Sequence, residues 1–162
     1  MTIETSRVVF LASTFQHTAM HTEKHHCDAA GKAENRLRRH FGYDHFRGRQ
    51  QQIIEHVLSG RHAMVIMPTG MGKSLCYQIP ALTNDSGDGR LVLVLSPLIA
   101  LMQDQVDSLV RRGIDATLIN SSLDRATRET RYQELAEGKY RLVYVTPERF
   151  RKLEFREAIG QR

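Results

Sequence analysis

The sequence predicts an α/β fold, a parallel β-sheet covered by helices. Short apolar runs typical of strands alternate four times with stretches typical of helices, which favours right-handed βαβ units. The run at residues 91–95, Leu-Val-Leu-Val-Leu, is apolar without a break. Such a strand is buried on both faces, as in a parallel sheet. The length of 162 residues suits one domain with an ordinary hydrophobic core.

Regular structure is predicted from Ala33 onward. Two helices precede the first strand, and each stops at a glycine: residues 33–41 before Gly42, and residues 51–58 before Gly60. Pro80 and the polar run at 84–89 mark a surface loop. The four predicted strands are residues 63–67, 91–95, 116–119 and 142–145. The helices that follow them begin at Leu75, Ser96-Pro97, Asp124 and Thr146-Pro147.

Residues 1–32 differ from the rest because they are rich in Thr, Ser and His and lack a sustained apolar period. We expect a disordered tail here and place the domain at residues 33–162. Zinc is an alternative, since His and Cys ligate it, but a zinc site needs a rigid frame. Three histidines four residues apart, and the His-Cys pair after them, could supply ligands: His17, His21, His25, His26 and Cys27.

Composition is that of a globular protein, with 41% hydrophobic and 25% charged residues. No apolar run approaches the ~20 residues that cross a bilayer, and Glu4 and Arg7 make the first segment a poor secretory signal. Cys27 and Cys76 form no pairing pattern, so we expect reduced thiols and a cytoplasmic location. The net charge of +5 is compatible with nucleic-acid binding but does not require it.

A glycine-rich loop at residues 67–74 stands between a predicted strand and a predicted helix, the context that makes Gly-Lys-Ser a phosphate site. Gly70 and Gly72 allow backbone amides to approach an anion, and the helix N-terminus adds further donors. Lys73, the one residue with a predicted catalytic role, would reach the β- and γ-phosphates of ATP, and the Ser74 hydroxyl would bind Mg²⁺. The predicted nucleotide contacts in the loop are Thr69, Gly70, Met71, Gly72, Lys73 and Ser74.

This phosphate loop departs from the usual eight-residue pattern, because Met67 stands where that pattern begins with glycine. A chance glycine-rich turn before a helix is the alternative. The flanking strand and helix favour the phosphate site.

Two further strands end in sequences that could bind anions at the same edge of the sheet, where ligands of parallel sheets bind. Ser96-Pro97 and Thr146-Pro147-Glu148 each combine a hydroxyl N-cap with proline at the first helical position. Plain helix capping explains either one alone. Two of them beside a phosphate loop suggest phosphates beyond those of ATP, which a nucleic-acid backbone would supply.

From about Leu37 to Phe150 the chain resembles the first motor domain of RecQ-type DNA helicases, within helicase superfamily 2. The resemblance implies a RecA-like P-loop NTPase domain that uses ATP and Mg²⁺ on single-stranded or partly duplex DNA. It also implies 3'–5' unwinding in DNA recombination and repair. Four blocks carry the likeness: residues 41–50, 67–81, 96–106 and 145–149.

The resemblance also implies roles for residues outside the phosphate loop. Tyr43 and Arg47 would pack against adenine, and Gln50 would bond its amino edge, as one amide donor and one acceptor allow. For Asn120-Ser121-Ser122 a contact to the DNA backbone and a turn with a helix cap are equally good interpretations. The residues that would contact single-stranded DNA are Ser96, Pro97, Gln103, Thr146 and Arg149.

The sequence contains no Asp-Glu-x-His block, which supplies the catalytic acid in superfamily 2 motors. Glu148 follows an apolar run, but Pro147 separates it from that strand and makes it a poor substitute. A second motor domain and the accessory modules of the family are missing too. We therefore expect an N-terminal helicase fragment that is inactive by itself. A stand-alone nucleotide-binding module, or a fragment of a superfamily 2 RNA helicase, are the alternatives.

Overall fold

The computed structural model describes residues 24–83 and 91–161. The chain forms two compact units, Met1–Asp85 and Ser86–Arg162. The predicted loop at 84–89 and most of the predicted tail, with His17 and His21, lie outside the described residues. Within them, no helix has the length and apolarity needed to cross a membrane.

The first unit is helical where the structure describes it. Helix α1, Lys24–Arg36, continues into a π-helical turn, Leu37–Phe41, and is followed by α2, Gln50–Leu58, and α3, Leu75–Thr83. Residues 24–32, which the sequence placed in the disordered tail, are helical, so α1 extends beyond the predicted start at Ala33. Its first turns lack an apolar stripe, but alanine and lysine have high helix propensity. The zinc hypothesis includes His17 and His21, which lie outside the described residues, and stays a prediction.

The core of the first unit lies where α3 packs against α1 and α2. Every residue of α3 is buried, including Pro80, so the prediction that Pro80 marks a loop was wrong. Proline removes one helical hydrogen bond, but packing decides the outcome in a buried helix. Cys76 lies in α3, and burial raises the pKa of its thiol to about 11. The buried core residues are Ala33, Leu37, Ile54, Leu75 and Ile79.

The predicted strand at 63–67 is not formed. Its side chains alternate as in an extended chain, with Met64 90% and Ile66 75% exposed and Ala63, Val65 and Met67 half-buried. An extended segment becomes a stable strand only when a neighbour pairs with its backbone groups. No such pairing exists within residues 24–83 and 91–161, so the apolar pattern alone did not produce a strand.

The second unit contains a three-stranded parallel sheet, which confirms the predicted fold class. The strands are β1, Val92–Leu95, β2, Ala116–Ile119, and β3, Leu142–Val145, in the order β1-β3-β2. The last three of the four predicted strands thus agree with the structure. The helices are α4, Ile99–Arg111, α5, Arg125–Ala136, and α6, Leu153–Gly160, and a 3₁₀ turn, Pro147–Arg151, precedes α6.

The central strand β3 is fully buried, as expected for a strand covered on both faces. Val143 and Val145 form a core with Phe155 of α6. The Phe155 ring meets Phe150 edge to face with a centroid distance of 5.4 Å. Burying one phenylalanine side chain such as that of Phe155 stabilises the fold by about 1.5–3 kcal/mol. Helix α4 packs against β2 and β3 with three of its residues buried: Met102, Val106 and Leu109.

Helix α5 begins near the predicted start at Asp124, and the structure shows that its N-terminus is capped. Asp124 accepts hydrogen bonds from the backbone N–H of Thr127 at 2.8 Å and from its hydroxyl at 2.6 Å. These bonds, led by that from the hydroxyl, hold the pKa of Asp124 below its usual range. The charged carboxylate therefore stabilises the helix end more than the neutral acid does.

We expect Asp124→Ala to lower the melting temperature of the chain at neutral pH, because it removes both bonds at the start of α5. The pKa of Asp124 is lower in the folded chain than in the unfolded chain. Its contribution is therefore present above the unfolded pKa of about 3.9 and is lost as pH falls through the folded pKa. Melting curves from pH 7 to pH 3 should show wild type and variant converging. Asp104→Ala, at an exposed position within α4, is the control; an equal loss there would contradict the capping role.

Candidate functional site

The phosphate loop, residues 67–74, leads into α3 through two glycines with left-handed backbone conformations. Gly70 has φ 83° and Gly72 has φ 72°, values that other residues adopt only with strain. The turn is closed by a hydrogen bond from Met71 N–H to the Pro68 carbonyl at 3.4 Å. The predicted glycine loop is thus present, although residues 63–67 before it are not paired as a strand within the described part of the chain.

The start of α3 presents backbone amides that the helix does not use. The first donor of this turn is Leu75 N–H, which donates to the Gly72 carbonyl at 3.1 Å. The next is Cys76 N–H, which donates to the Lys73 carbonyl at 3.1 Å. The amides of Lys73 and Ser74 lie before these bonds, where helical N–H groups have no intrahelical acceptor. With the positive end of the helix dipole they suit an anion.

Lys73 folds back over its own loop. Its Nζ donates to the carbonyls of Met67 at 2.8 Å and Pro68 at 3.0 Å. The ammonium is therefore held at the loop by two carbonyl oxygens, which a phosphate oxygen could replace. Ser74 is half-buried at the start of α3, beside Lys73 as the predicted Mg²⁺ site requires. Among the described residues no cluster of His, Cys, Asp or Glu could hold a metal ion, so Ser74 is the one protein ligand that we predict.

Gln50 is the link between α2 and the phosphate loop. Only 2% of its surface is exposed. Its Nε2 donates to the carbonyls of Met71 at 3.1 Å and Gly72 at 3.2 Å, and its Oε1 accepts from Arg47 N–H at 2.8 Å. Both Nε2 hydrogens of Gln50 are thus donated to carbonyls of the phosphate loop. Bonding to the N7 acceptor of adenine, as the resemblance implies, requires Gln50 to release a carbonyl, so the adenine contact stays a prediction.

Tyr43 and Arg47, the other predicted adenine contacts, lie together at the surface. The Arg47 guanidinium carbon is 5.6 Å from the centre of the Tyr43 ring, within the range of a cation–π contact. Both side chains are exposed. The pair offers two flat surfaces against which a planar base could stack. The backbone N–H of Arg47 also donates a hydrogen bond to Gln50 Oε1.

In the second unit, the strand register aligns the predicted nucleic-acid contacts in a row. Leu95 pairs with Val145, and Val145 pairs with Ile119. The three residues that come next therefore leave the same edge of the sheet side by side, and Ser96 N–H donates to the Val145 carbonyl at 3.1 Å. In spatial order they are Ser96, Thr146 and Asn120.

The predicted hydroxyl caps at this edge were wrong in detail. The Ser96 hydroxyl accepts from Leu98 N–H at 3.2 Å in a local turn, and α4 begins two residues after Pro97, at Ile99. Such side-chain turns compete with helix capping. Pro147 does occupy the first position of the 3₁₀ turn, but the Thr146 hydroxyl caps nothing. Asn120 accepts hydrogen bonds from the backbone N–H and the hydroxyl of Ser122. These bonds form a turn, which was one of the two interpretations of residues 120–122.

Two buried polar atoms near this edge make no hydrogen bond of standard geometry within the described part of the chain: Thr146 Oγ1 and Arg149 Nε. Buried polar groups normally have partners, so these atoms could bind an external group such as a phosphate oxygen. The exposed Glu148 carboxylate is near the Thr146 hydroxyl, outside standard hydrogen-bond geometry, and this contact holds the pKa of Glu148 below its usual range. The Gln103 side chain is exposed and donates to Asp107 at 2.8 Å.

The bonds from Gln50 to the phosphate loop were missed by sequence reasoning. They join residues 21 and 22 positions apart, and no periodic pattern reports such a contact. The available signal was indirect: a glutamine in an apolar helix face must find partners.

Comparison with known proteins identifies the family. Residues 47–161 match the model of the DEAD/DEAH box helicase family. The ATP-dependent DNA helicase RecQ of Haemophilus influenzae is 46% identical over 120 residues, 74% of this chain and 19% of that protein. RecQ of Bacillus subtilis is 46% identical over 125 residues, 76% of this chain and 20% of that protein.

A more distant relative also matches most of this chain but only a small part of its own length. The ATP-dependent helicase wrn-1 of Caenorhabditis elegans is 40% identical over 119 residues, 72% of this chain and 10% of that protein. The chain thus spans about a fifth or less of the length of these relatives. The matched region contains the phosphate loop and the sheet edge, and the chain belongs to the DEAD/DEAH box helicase family, with a sequence of the RecQ type.

Proposed function

We propose that residues 33–162 are part of the ATP-binding motor domain of a RecQ-type ATP-dependent DNA helicase. The observation that carries this proposal is the phosphate loop: two left-handed glycines, backbone amides at the start of α3, and the Lys73 ammonium held at the loop. Each is a donor or positive group on one short segment, as a polyphosphate requires. The names of the relatives support ATP as the nucleotide.

The residues present fit ATP with Mg²⁺. Lys73 would exchange the Met67 and Pro68 carbonyls for phosphate oxygens, which carry more negative charge. Tyr43 and Arg47 would hold the base, and the Ser74 hydroxyl would bind Mg²⁺. The metal would neutralise charge on the phosphates and orient them. Lys73 acts by stabilising negative charge on the terminal phosphate.

Single-stranded DNA is the proposed partner of the second unit. Its backbone would lie along the edge formed by Ser96, Thr146 and Asn120, with Arg149 and Gln103 contributing polar contacts. Phosphate contacts position a nucleic acid without reading its sequence. DNA is preferred to RNA because relatives named as DNA helicases share 46% identity with this chain. Unwinding in the 3'–5' direction, a role in recombination and repair, and a cytoplasmic location belong to the same proposal.

A nucleotide-binding module without turnover is the second candidate for the 162-residue chain itself. It is favoured by the sequence, which has no Asp-Glu-x-His block, and by the position of Glu148. That carboxylate is exposed on the 3₁₀ turn of the second unit, beside Thr146. The purified chain should therefore bind ATP but release no phosphate, with or without single-stranded DNA. Release stimulated by DNA would show that the chain carries a complete catalytic site.

Lys73→Ala should weaken ATP binding by about 10- to 100-fold, the effect of losing a charged hydrogen-bond donor. Calorimetric titration of ATP with Mg²⁺ into wild type and variant measures this. The matched control is Lys152→Ala, which removes an exposed lysine of the second unit and should leave ATP affinity unchanged. Equal affinity of wild type and Lys73→Ala would contradict the phosphate-loop assignment.

Arg149→Ala should weaken binding of single-stranded oligothymidine and reduce its salt dependence. Losing one phosphate contact should reduce the steepness of log K against log salt by about 0.7. Fluorescence anisotropy at several salt concentrations gives both quantities. Arg156→Ala, at an exposed position on α6, is the matched control. A salt dependence that changes equally in both variants would remove Arg149 from the DNA site.

A further inference from the structure

Gln50 makes three hydrogen bonds inside the first unit that adenine recognition does not require. Its Nε2 bonds two successive carbonyls of the phosphate loop, those of Met71 and Gly72, and its Oε1 is fixed by Arg47 N–H. The side chain is buried. The amide plane is therefore held at both ends, by the turn before α2 and by the loop.

The orientation of the loop peptides follows from these bonds. The described residues contain no cis peptide bond, and in a trans peptide the C=O and the following N–H point in opposite directions. With the Met71 carbonyl turned toward Gln50, the Gly72 N–H points away from it. With the Gly72 carbonyl turned the same way, the Lys73 N–H also points away. Gln50 thus holds the peptide between Met71 and Gly72, and together with the Leu75 N–H, which donates to the Gly72 carbonyl at 3.1 Å, it holds the peptide between Gly72 and Lys73. Both amide N–H groups therefore face the opposite side of the loop.

Gly72 shows how closely Gln50 approaches the loop. A Cβ atom at position 72 would lie 2.3 Å from Gln50 Nε2, which is too close for any non-bonded pair. Gly72 also has φ 72°, so a side chain there would be strained as well. The absence of a side chain at this position is what allows the amide to reach both carbonyls.

We propose that Gln50 is a positioning residue of the phosphate site, one that orients the Gly72 and Lys73 amides toward the phosphates whether or not a base is bound. This inference rests on the proposed nucleotide-binding function and assigns Gln50 a role besides reading adenine. Its ligand class is an inorganic or organic polyphosphate. Pre-orientation increases affinity because the loop amides need not be ordered at the moment of binding.

Inorganic tripolyphosphate is the probe, because it has the phosphate chain of ATP and no base. We expect Gln50→Met, similar in length but without polar hydrogens, to raise the dissociation constant for tripolyphosphate about tenfold, as for one or two lost hydrogen bonds. Gln50→Asn is one methylene shorter, reaches fewer carbonyls and should have an intermediate effect. Calorimetric titration of the full chain measures affinity, and the melting temperature without ligand shows whether each variant folds.

Gln51→Ala is the matched control, since Gln51 is exposed and donates to Glu55 of the same helix at 3.0 Å; tripolyphosphate affinity should not change. If Gln50 serves adenine alone, ATP affinity falls while tripolyphosphate affinity is unchanged, and the inference is overturned. A rise in tripolyphosphate affinity would also overturn it, because Gln50 would then hold the loop closed. Failure of the wild-type chain to bind either ligand would instead reject the proposed nucleotide site, and the inference with it.

Discussion

The hydrogen bonds from Gln50 to the phosphate loop are the contact on which the candidate nucleotide site depends. They tie the Met71 and Gly72 carbonyls to a buried amide on α2, and α2 itself packs against α3. The loop is therefore held by the same helix core that buries Leu75 and Ile79. Because a buried amide is costly without partners, this arrangement constrains the loop and Gln50 together.

In the second unit the corresponding constraint is parallel strand register. Pairing of Leu95, Val145 and Ile119 brings the ends of three strands to one edge. Residues far apart in sequence, Ser96 and Thr146 among them, then become neighbours. The buried hydroxyl of Thr146, without a partner of standard geometry, lies at this edge. A parallel sheet gathers polar groups at strand ends for a geometric reason, and a DNA backbone is the partner that we propose for them.

Local patterns predicted much of the second unit correctly. The bounds of β2 and β3 follow from apolar runs, and α5 starts within one residue of its predicted start. Predictions failed where a distant partner decides the outcome. Residues 63–67 have the apolar composition of a strand but no pairing partner within the described chain. Pro80 stays within a helix because packing outweighs its local preference. Ser96 forms a turn with Leu98 where the sequence predicted a helix N-cap.

By itself the sequence determined the fold class, the position of the phosphate loop and the family, because periodicity and motif spacing are local properties of the chain. Only the tertiary structure decided which groups face one another. It placed Arg47 over Tyr43, drew Lys73 onto the Met67 and Pro68 carbonyls, and joined Gln50 to the loop. These contacts depend on packing between segments up to 22 residues apart, and hydrogen bonding across such distances leaves no periodic trace in the sequence.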